Sequence, residues 1–202
     1  MATTAAGENP GQEKGKIWKR LFIVTGCLVV TLWALPFVIL PAFGIGRIYT
    51  IGTSGMEPTF SSGDHVFVNE LTYHFSKPRR GDIATFNRNG IGDLPPDAPE
   101  QVWMKRVVGL PGEKISFQSG KILINGAETP ELAMLHPVIS PGGMSMAANG
   151  VELQIPEGMY FVIGDNTANS ADSRIFGCVP EGNFRGRFVA RVWRSGGQAS
   201  KK

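Results

Sequence analysis

The chain has 202 residues, a net charge of +3 and 42% hydrophobic residues, enough for one domain of about 150 residues beside a tail and an anchor. The charge is small and dispersed, and no stripe of basic and aromatic side chains is present, so the composition argues against nucleic-acid binding. The 26 glycines and 14 prolines exceed ordinary usage of about 7% and 5% and separate short apolar runs, which favours a mainly β fold.

The first predicted elements are a tail and a membrane helix. Residues 1–20 are mostly small or polar and lack an apolar period, which predicts a disordered tail. Residues 21–43 carry no charge, and a helix of that length, rising about 1.5 Å per residue, spans a hydrocarbon core of about 30 Å. We therefore expect a transmembrane helix over 21–43, which Pro36 and Pro41 kink or end.

Basic residues around this helix predict its orientation. Arg47 alone follows it closely, whereas four basic residues precede it: Lys14, Lys16, Lys19 and Arg20. The positive-inside rule then places the N-terminus in the cytoplasm and the C-terminal domain outside. The alternative is a cleaved signal peptide, but the apolar run exceeds the usual length of about 7 to 15 residues and lacks an A-x-A site at its end.

Short alternating segments beyond Arg47 predict a β domain over residues 47–194. The predicted strands are His65–Asn69, Asp82–Asn87, Val102–Val108, Lys114–Phe117, Ile122–Ile124, Tyr160–Ile163 and Phe188–Trp193. Residues 126–158 have little period and predict an excursion of loops, and residues 195–202 predict a flexible tail.

Cysteine and histidine positions argue against redox and metal chemistry. Cys27 lies in the apolar stretch and Cys178 far downstream, so no disulfide within one domain is expected. His65, His74 and His136 show no metal-ligand spacing with Cys, Asp or Glu. We expect no metal and no cofactor.

Two clusters of polar residues are candidates for chemistry in the first half of the β domain. Ile51–Phe60, IGTSGMEPTF, offers the hydroxyls of Thr53 and Ser54 beside glycines, although a polar turn explains these residues in isolation. Lys105 lies between apolar neighbours on a predicted strand, and burial lowers a lysine pKa from about 10.4 toward values at which the amine accepts protons. The plainer interpretation is a snorkelling or ion-paired lysine.

A third cluster lies in Gly164–Val179, GDNTANSADSRIFGCV. Ser170, Asp172 and Arg174 would point one way in an extended segment. Asp172 and Arg174 most simply form an ion pair that holds a loop, which leaves Ser170 to hydrogen-bond a neighbour.

Together, M-x-P-T, K-R-V-V-G-L-P-G-E and G-D-N-x-x-N-S-x-D-S-R-x-F-G, in this order after an N-terminal apolar helix, resemble the bacterial type I signal peptidases. The resemblance implies a mostly antiparallel β fold at the inner (cytoplasmic) membrane. It implies a serine-lysine dyad that cleaves signal peptides from exported proteins at the outer face, with membrane lipid as a further partner. The oligomeric state is left open.

The resemblance also implies roles for individual residues. Lys105 matches the general base, Ser170 a serine that orients it, and Asp172 with Arg174 the supporting ion pair. Thr53 matches a residue whose hydroxyl helps form the oxyanion hole. Three further residues match the rest of the first motif: Met56, Pro58 and Thr59.

One position departs from the family pattern. The nucleophilic serine of the family directly precedes the methionine, where this chain has Gly55, and Ser54 stands one position earlier. Three hypotheses follow: Ser54 is the nucleophile of a working peptidase, or the chain is a pseudoprotease that binds signal peptides or assists assembly of exported proteins, or Gly55 is an alteration of an active parent. A one-residue shift in an extended segment turns a side chain to the opposite face, unless Gly52 and Gly55 let the loop re-register.

Overall fold

The computed structural model describes residues 10–34, 45–95, 101–135 and 150–195. Within it the chain divides into two units after residue 43. The predicted C-terminal tail lies outside the described residues from position 196 onward.

The first unit contains the helix α1, Pro10–Ala34. Pro10 suits a first helical position, where its missing N–H is not needed. α1 includes residues 10–20, for which the sequence predicts disorder, because Lys, Glu, Gln and Arg are good helix formers and extend the helix toward the N-terminus. Residues 35–43 of the predicted membrane span lie outside the described residues. No helix of the described ranges is long and apolar enough to cross a membrane, so the span is not confirmed.

The second unit contains eleven described strands and two short helices. The strands are β1 (Gly46–Thr50), β2 (His65–Asn69), β3 (Ile83–Asn87), β4 (Val102–Gly109), β5 (Lys114–Gln118), β6 (Lys121–Ile124), β7 (Ala127–Glu128), β8 (Glu152–Gln154), β9 (Met159–Ile163), β10 (Val179–Pro180) and β11 (Phe184–Trp193). The helices are α2 (Thr72–Phe75) and α3 (Ser173–Phe176), and 3₁₀ turns cover Ser54–Met56, Pro130–Leu135 and Glu181–Asn183.

The strands form two antiparallel sheets. The larger sheet has the order β1-β2-β11-β3-β4-β9-β10, and the smaller has the order β7-β6-β5-β8. The predicted mainly antiparallel β fold is therefore confirmed. Every strand that the sequence predicts is present, with ends that differ by a few residues. The sequence analysis missed β1, β7, β8 and β10, because they are short and have little apolar alternation.

Three apolar clusters hold the β domain together. The first joins the two sheets, since Val108 and Phe161 of the larger sheet pack with Ile115 and Ile122 of the smaller one. The second lies around Phe86, Tyr160, Phe176 and Phe184. The third consists of six buried residues: Ile51, Met56, Phe60, Val66, Val68 and Ile83. Full burial of such a side chain stabilises a fold by about 1.5 to 3 kcal/mol. The third cluster therefore anchors residues 51–60 on the sheet.

Candidate active site

A groove of about 610 Å³ opens between three chain segments of the β domain. The end of β1 and the segment after it contribute residues 49–56, β4 and the residue before it contribute residues 101–105, and the loop after β9 contributes residues 169–171, while Thr85 of β3 also lines the groove. All three candidate clusters of the sequence analysis therefore line one cavity.

Strand β4 places Lys105 in this groove. Lys105 pairs with Ala84 of β3 in the sheet, and only 6% of the residue is exposed. Its Nζ donates a hydrogen bond to Ser170 Oγ at 2.8 Å. Burial lowers the pKa of the Lys105 amine, and the charge of Arg174 adds to this effect against the opposing carboxylates of Asp172 and Asp165.

Gly55 presents its backbone to the same amine. A Cβ built on Gly55 would lie 3.0 Å from Lys105 Nζ, 3.6 Å from the Asn169 carbonyl oxygen and 3.7 Å from Ser170 Oγ. A short side chain at position 55 would therefore point at the amine.

Ser54 makes a different contact. Its Oγ accepts a hydrogen bond from Asn169 Nδ2 at 3.0 Å, and its carbonyl accepts one from Asn166 Nδ2 at 3.1 Å. The Asn166 N–H also donates to the Gly55 carbonyl at 3.2 Å. The hydroxyl of Ser54 is thus held by Asn169, while Lys105 is bonded to Ser170.

Thr53 is exposed, extended and part of the groove wall. Met56 is buried in the third apolar cluster, and Pro58 lies exposed. The hydroxyl of Thr59 donates to Asp165 Oδ2. The segment that follows Gly55 is therefore anchored by apolar packing and by a hydrogen bond.

Gly164, at the end of β9, permits the close approach of these segments. A Cβ on Gly164 would lie 2.1 Å from Ser170 Oγ and 2.4 Å from the Gly55 carbonyl oxygen. Real Cβ atoms do not tolerate such contacts, so a larger residue would push Ser170 or Gly55 out of place.

An ion pair between Asp172 and Arg174 holds the loop that carries Ser170. Both side chains are fully buried, and Arg174 Nε and Nη2 donate to Asp172 Oδ1 and Oδ2 at 2.8 Å each. Asp172 also accepts from the Gly164 N–H at 3.0 Å, and Arg174 Nη1 donates to the Thr167 carbonyl at 2.8 Å. Such charge-assisted, bidentate bonds fix geometry more firmly than neutral ones.

A second buried ion pair, which the sequence analysis missed, lies behind the site. Arg106 donates to Asp165 through Nε at 2.8 Å and through Nη2 at 2.6 Å. The sequence does contain one indication of this pair. Arg106 lies on a predicted core strand, and a buried arginine needs an acidic partner. The sequence could not name Asp165 as that partner because 59 positions separate the two. The contacts of Asn166 and Asn169 were missed as well, since a side-chain amide that donates to a distant carbonyl or hydroxyl has no spacing signature.

A buried lysine with a lowered pKa faces a groove on an antiparallel β scaffold, and an arrangement of this kind marks a candidate functional site. The family model "Signal peptidase, peptidase S26" matches residues 23–193. The chain therefore belongs to the signal peptidase family, peptidase S26.

Individual relatives agree with this assignment. The signal peptidase I of Leptolyngbya laminosa is 35% identical over 143 residues, which cover 71% of this chain and 66% of that protein. The signal peptidase I of Bacillus caldolyticus is 29% identical over 193 residues, covering 90% and 92%. The chain spans less than two thirds of the Leptolyngbya protein and of a probable signal peptidase I-2 of Synechocystis sp., 66% and 61% of their lengths. A solved signal peptidase I of Enterococcus faecalis V583 aligns at a TM-score of 0.42 with 32% identity, over 56% of this chain and 98% of that one.

Proposed function

We propose that this protein recognises the signal peptides of exported proteins in the groove, and that Lys105 is the base for their cleavage. The observation that carries the proposal is the direction of residue 55, whose Cβ would begin 3.0 Å from the Lys105 amine. A hydroxyl on that residue would meet a buried amine with a lowered pKa, which is what a serine-lysine peptidase needs to activate its nucleophile.

The groove suits an extended peptide. Strand β4 pairs with β3 along residues 102–106, but it pairs with β9 only from Arg106 onward. Residues 102–105 therefore have no strand partner on the β9 side among the described strands, and this stretch lines the groove. A peptide can add there as a further strand, with main-chain bonds for affinity and pockets for its small side chains.

One candidate function is a working signal peptidase in which Ser54 is the nucleophile. It is favoured by the position of Ser54 in the groove, between Gly52 and Gly55, and by the retention of a buried Lys105. It requires the Ser54 hydroxyl to leave Asn169 Nδ2, its partner at 3.0 Å, and turn toward the amine.

The other candidate is a pseudoprotease that binds signal peptides, or assists assembly of exported proteins, without cutting them. The observation that favours it is that Gly55 supplies no hydroxyl where the family has its nucleophile. Both candidates place the protein at the inner membrane, with its N-terminus in the cytoplasm and the β domain outside.

The experiment measures binding and cleavage separately on the full chain in detergent. Binding of a labelled signal peptide is followed by fluorescence anisotropy, and cleavage of the same peptide by chromatography, for the parent and for Ser54→Ala. Binding is expected in both. Cleavage that Ser54→Ala abolishes identifies Ser54 as the nucleophile, and binding without cleavage identifies a pseudoprotease. A folded parent that binds no signal peptide would contradict the proposed function itself.

A further inference from the structure

The hydroxyl of Ser170 is in direct contact with the buried amine of the groove. Lys105 Nζ donates to Ser170 Oγ at 2.8 Å, within the range of about 2.6 to 3.2 Å expected between a nucleophile and its base. Burial lowers the pKa of this amine and so favours the neutral form, which accepts a proton from a hydroxyl. The pair therefore has the geometry of a nucleophile and its general base.

Other hydroxyls of the groove are bonded elsewhere. Ser54 Oγ accepts from Asn169 Nδ2 at 3.0 Å, and Thr85 Oγ1 donates to the Gly186 carbonyl at 3.2 Å. Neither contact involves the amine. Ser170 is therefore the hydroxyl that the structure places against the base.

Ser170 is held in place and still faces the groove. The fully buried ion pair of Asp172 and Arg174 fixes the loop that carries it. Its side chain lies against the backbone of Gly164, where a Cβ would come within 2.1 Å of Ser170 Oγ. The residue itself is half-buried and lines the groove. A hydroxyl fixed in this way needs little reorganisation before it attacks.

Gly55 leaves the approach to this hydroxyl open. A Cβ on Gly55 would lie 3.7 Å from Ser170 Oγ and 3.0 Å from Lys105 Nζ, so a side chain there would cover part of the pair on the groove side. Glycine supplies no such cover. A peptide docked along residues 102–105 would therefore meet a hydroxyl that is already bonded to the base.

We propose that Ser170 is the nucleophile of this chain and that Lys105 is its base. The inference rests on the proposed function, because it needs a peptide bound beside Lys105. It gives Ser170 a task beyond the one that the family resemblance implies, which is to orient the lysine.

The reaction balances with water as the only co-reactant. Ser170 Oγ forms a bond to the scissile carbonyl carbon while its proton passes to Lys105 Nζ, which gives a tetrahedral oxyanion and an ammonium. The C–N bond then breaks, the ammonium protonates the leaving amine, and an ester on Ser170 remains. Lys105 next takes a proton from water, the water oxygen attacks the ester carbonyl, and Ser170 leaves as the alcohol with that proton. The products are a carboxylic acid and a free amine.

One oxygen performs two tasks in this scheme. Ser170 orients Lys105 and also attacks, and once it is esterified it no longer offers the amine a hydroxyl. In Gly55→Ser the two tasks fall to two serines. The parent should therefore cleave a signal peptide more slowly than Gly55→Ser.

The first test removes Ser170 in two backgrounds of the full chain. Loss of the catalytic serine costs about 10⁶ in turnover in a comparable hydrolase, so Ser170→Ala should lower cleavage by the parent to the rate of the peptide in buffer. In Gly55→Ser the same change removes only the orientation of Lys105. It should cost at most the roughly 10² to 10⁴-fold that a general base contributes and leave measurable cleavage.

Controls separate this effect from loss of structure or binding. Thermal unfolding checks that each variant folds, and the dissociation constant of the signal peptide should stay within about two-fold of the parent. Ser62→Ala removes an exposed serine outside the groove and is the matched control with parental activity.

A covalent probe supplies a second readout, which a serine that only orients the lysine would not give. The probe is a signal peptide whose scissile carbonyl is replaced by a phosphonate phenyl ester, which bonds to an activated hydroxyl and releases phenol. Mass spectrometry of the digested protein then locates the phosphonate. It should be on Ser170 in the parent and absent from Ser170→Ala.

The outcomes that would overturn the inference are distinct from those that would remove the proposed function. Phosphonate on Ser54, loss of cleavage in Ser54→Ala, or parental cleavage by Ser170→Ala would show that Ser170 is not the nucleophile. A parent that binds the signal peptide but neither cleaves it nor reacts with the probe would also overturn the inference and leave the proposed recognition intact. A folded parent that binds no signal peptide would remove both.

Discussion

At residue 55, a serine would add one hydroxymethyl group to the glycine backbone, and its direction would bring a second hydroxyl to Lys105, which already donates to Ser170 Oγ. The Cβ would lie 3.0 Å from Nζ, a tight contact but one with the far end of a flexible lysine. A small shift of the amine can therefore accommodate the new side chain.

We predict that Gly55→Ser raises cleavage of a signal peptide by several orders of magnitude. The hydroxyl would enter hydrogen-bond reach of a base whose pKa is lowered by burial. The measurement is kcat/KM of the purified full chain, with Gly55→Ala as the matched variant that adds the same bulk without a hydroxyl. If the parent is inactive, a folded Gly55→Ser protein that stays inactive would mean that the site is not arranged for serine-lysine catalysis.

The lowered pKa of Lys105 also predicts how stability depends on pH. The unfolded lysine titrates near 10.4, so between the lowered folded pKa and about 10.4 the unfolded state binds more protons and the free energy of unfolding rises with pH. Below the folded pKa the buried ammonium opposes folding. Lys105→Met lacks this effect, so its stability advantage over the parent should be largest at low pH and shrink toward about pH 10.

Denaturant unfolding of the two proteins across this range measures the difference. The acid limb of kcat/KM for Gly55→Ser should report the same group, with activity rising as the amine loses its proton. A stability difference that does not change with pH would show that Lys105 titrates alike in the folded and unfolded chain.

Among the elements, those with strong local patterns could be predicted and those that depend on distant partners could not. β2 alternates between half-buried and buried residues, and its predicted bounds, His65–Asn69, match the structure. β8 has three residues and offers too little pattern to detect. The ion pair of Asp172 and Arg174 was predictable because its members lie two positions apart.

The sequence alone does not decide which residue of the first motif faces Lys105, and the reason is physical. Whether residue 54 or residue 55 faces Lys105 depends on the local turn, and the 3₁₀ geometry of Ser54–Met56 gives that direction to Gly55. The bond between Ser54 and Asn169 spans 115 positions, a pairing that no local pattern contains.

The loop between β9 and α3 should lose stability when its ion pair is broken. Asp172→Ala leaves the fully buried Arg174 guanidinium without its carboxylate and removes an acceptor of the Gly164 N–H. Breaking a buried pair in this way costs about 3 to 5 kcal/mol. Denaturant unfolding measures the loss. Glu152→Ala, whose partner Lys114 is half exposed, is the control and should cost less than about 1 kcal/mol. Equal stabilities of the two variants would mean that the Asp172 pair does not hold the loop.

On the scale of the whole molecule, the chain consists of two units. The unit up to residue 43 contains the apolar segment, and the unit from residue 44 onward contains the β domain. If the groove acts on exported proteins as proposed, the β domain must lie on the outer side of the membrane. The basic residues before the apolar segment are the feature that would set this orientation.

We therefore predict that the β domain is extracytoplasmic and remains tethered to the membrane. Alkaline phosphatase, which is active only outside the cytoplasm, should be active when fused after Lys202, and a green fluorescent protein at the same place should stay dark. Four basic residues precede the apolar segment: Lys14, Lys16, Lys19 and Arg20. Replacing them by glutamine removes the charge bias toward the cytoplasm, so fewer chains should insert with the β domain outside and phosphatase activity should fall. The same replacement at Lys114 and Lys121, in the β domain, is the control and should leave the activity unchanged. Fluorescence with an inactive phosphatase would place the groove in the cytoplasm, and release of the fusion from washed membranes would favour a cleaved signal peptide over an anchor.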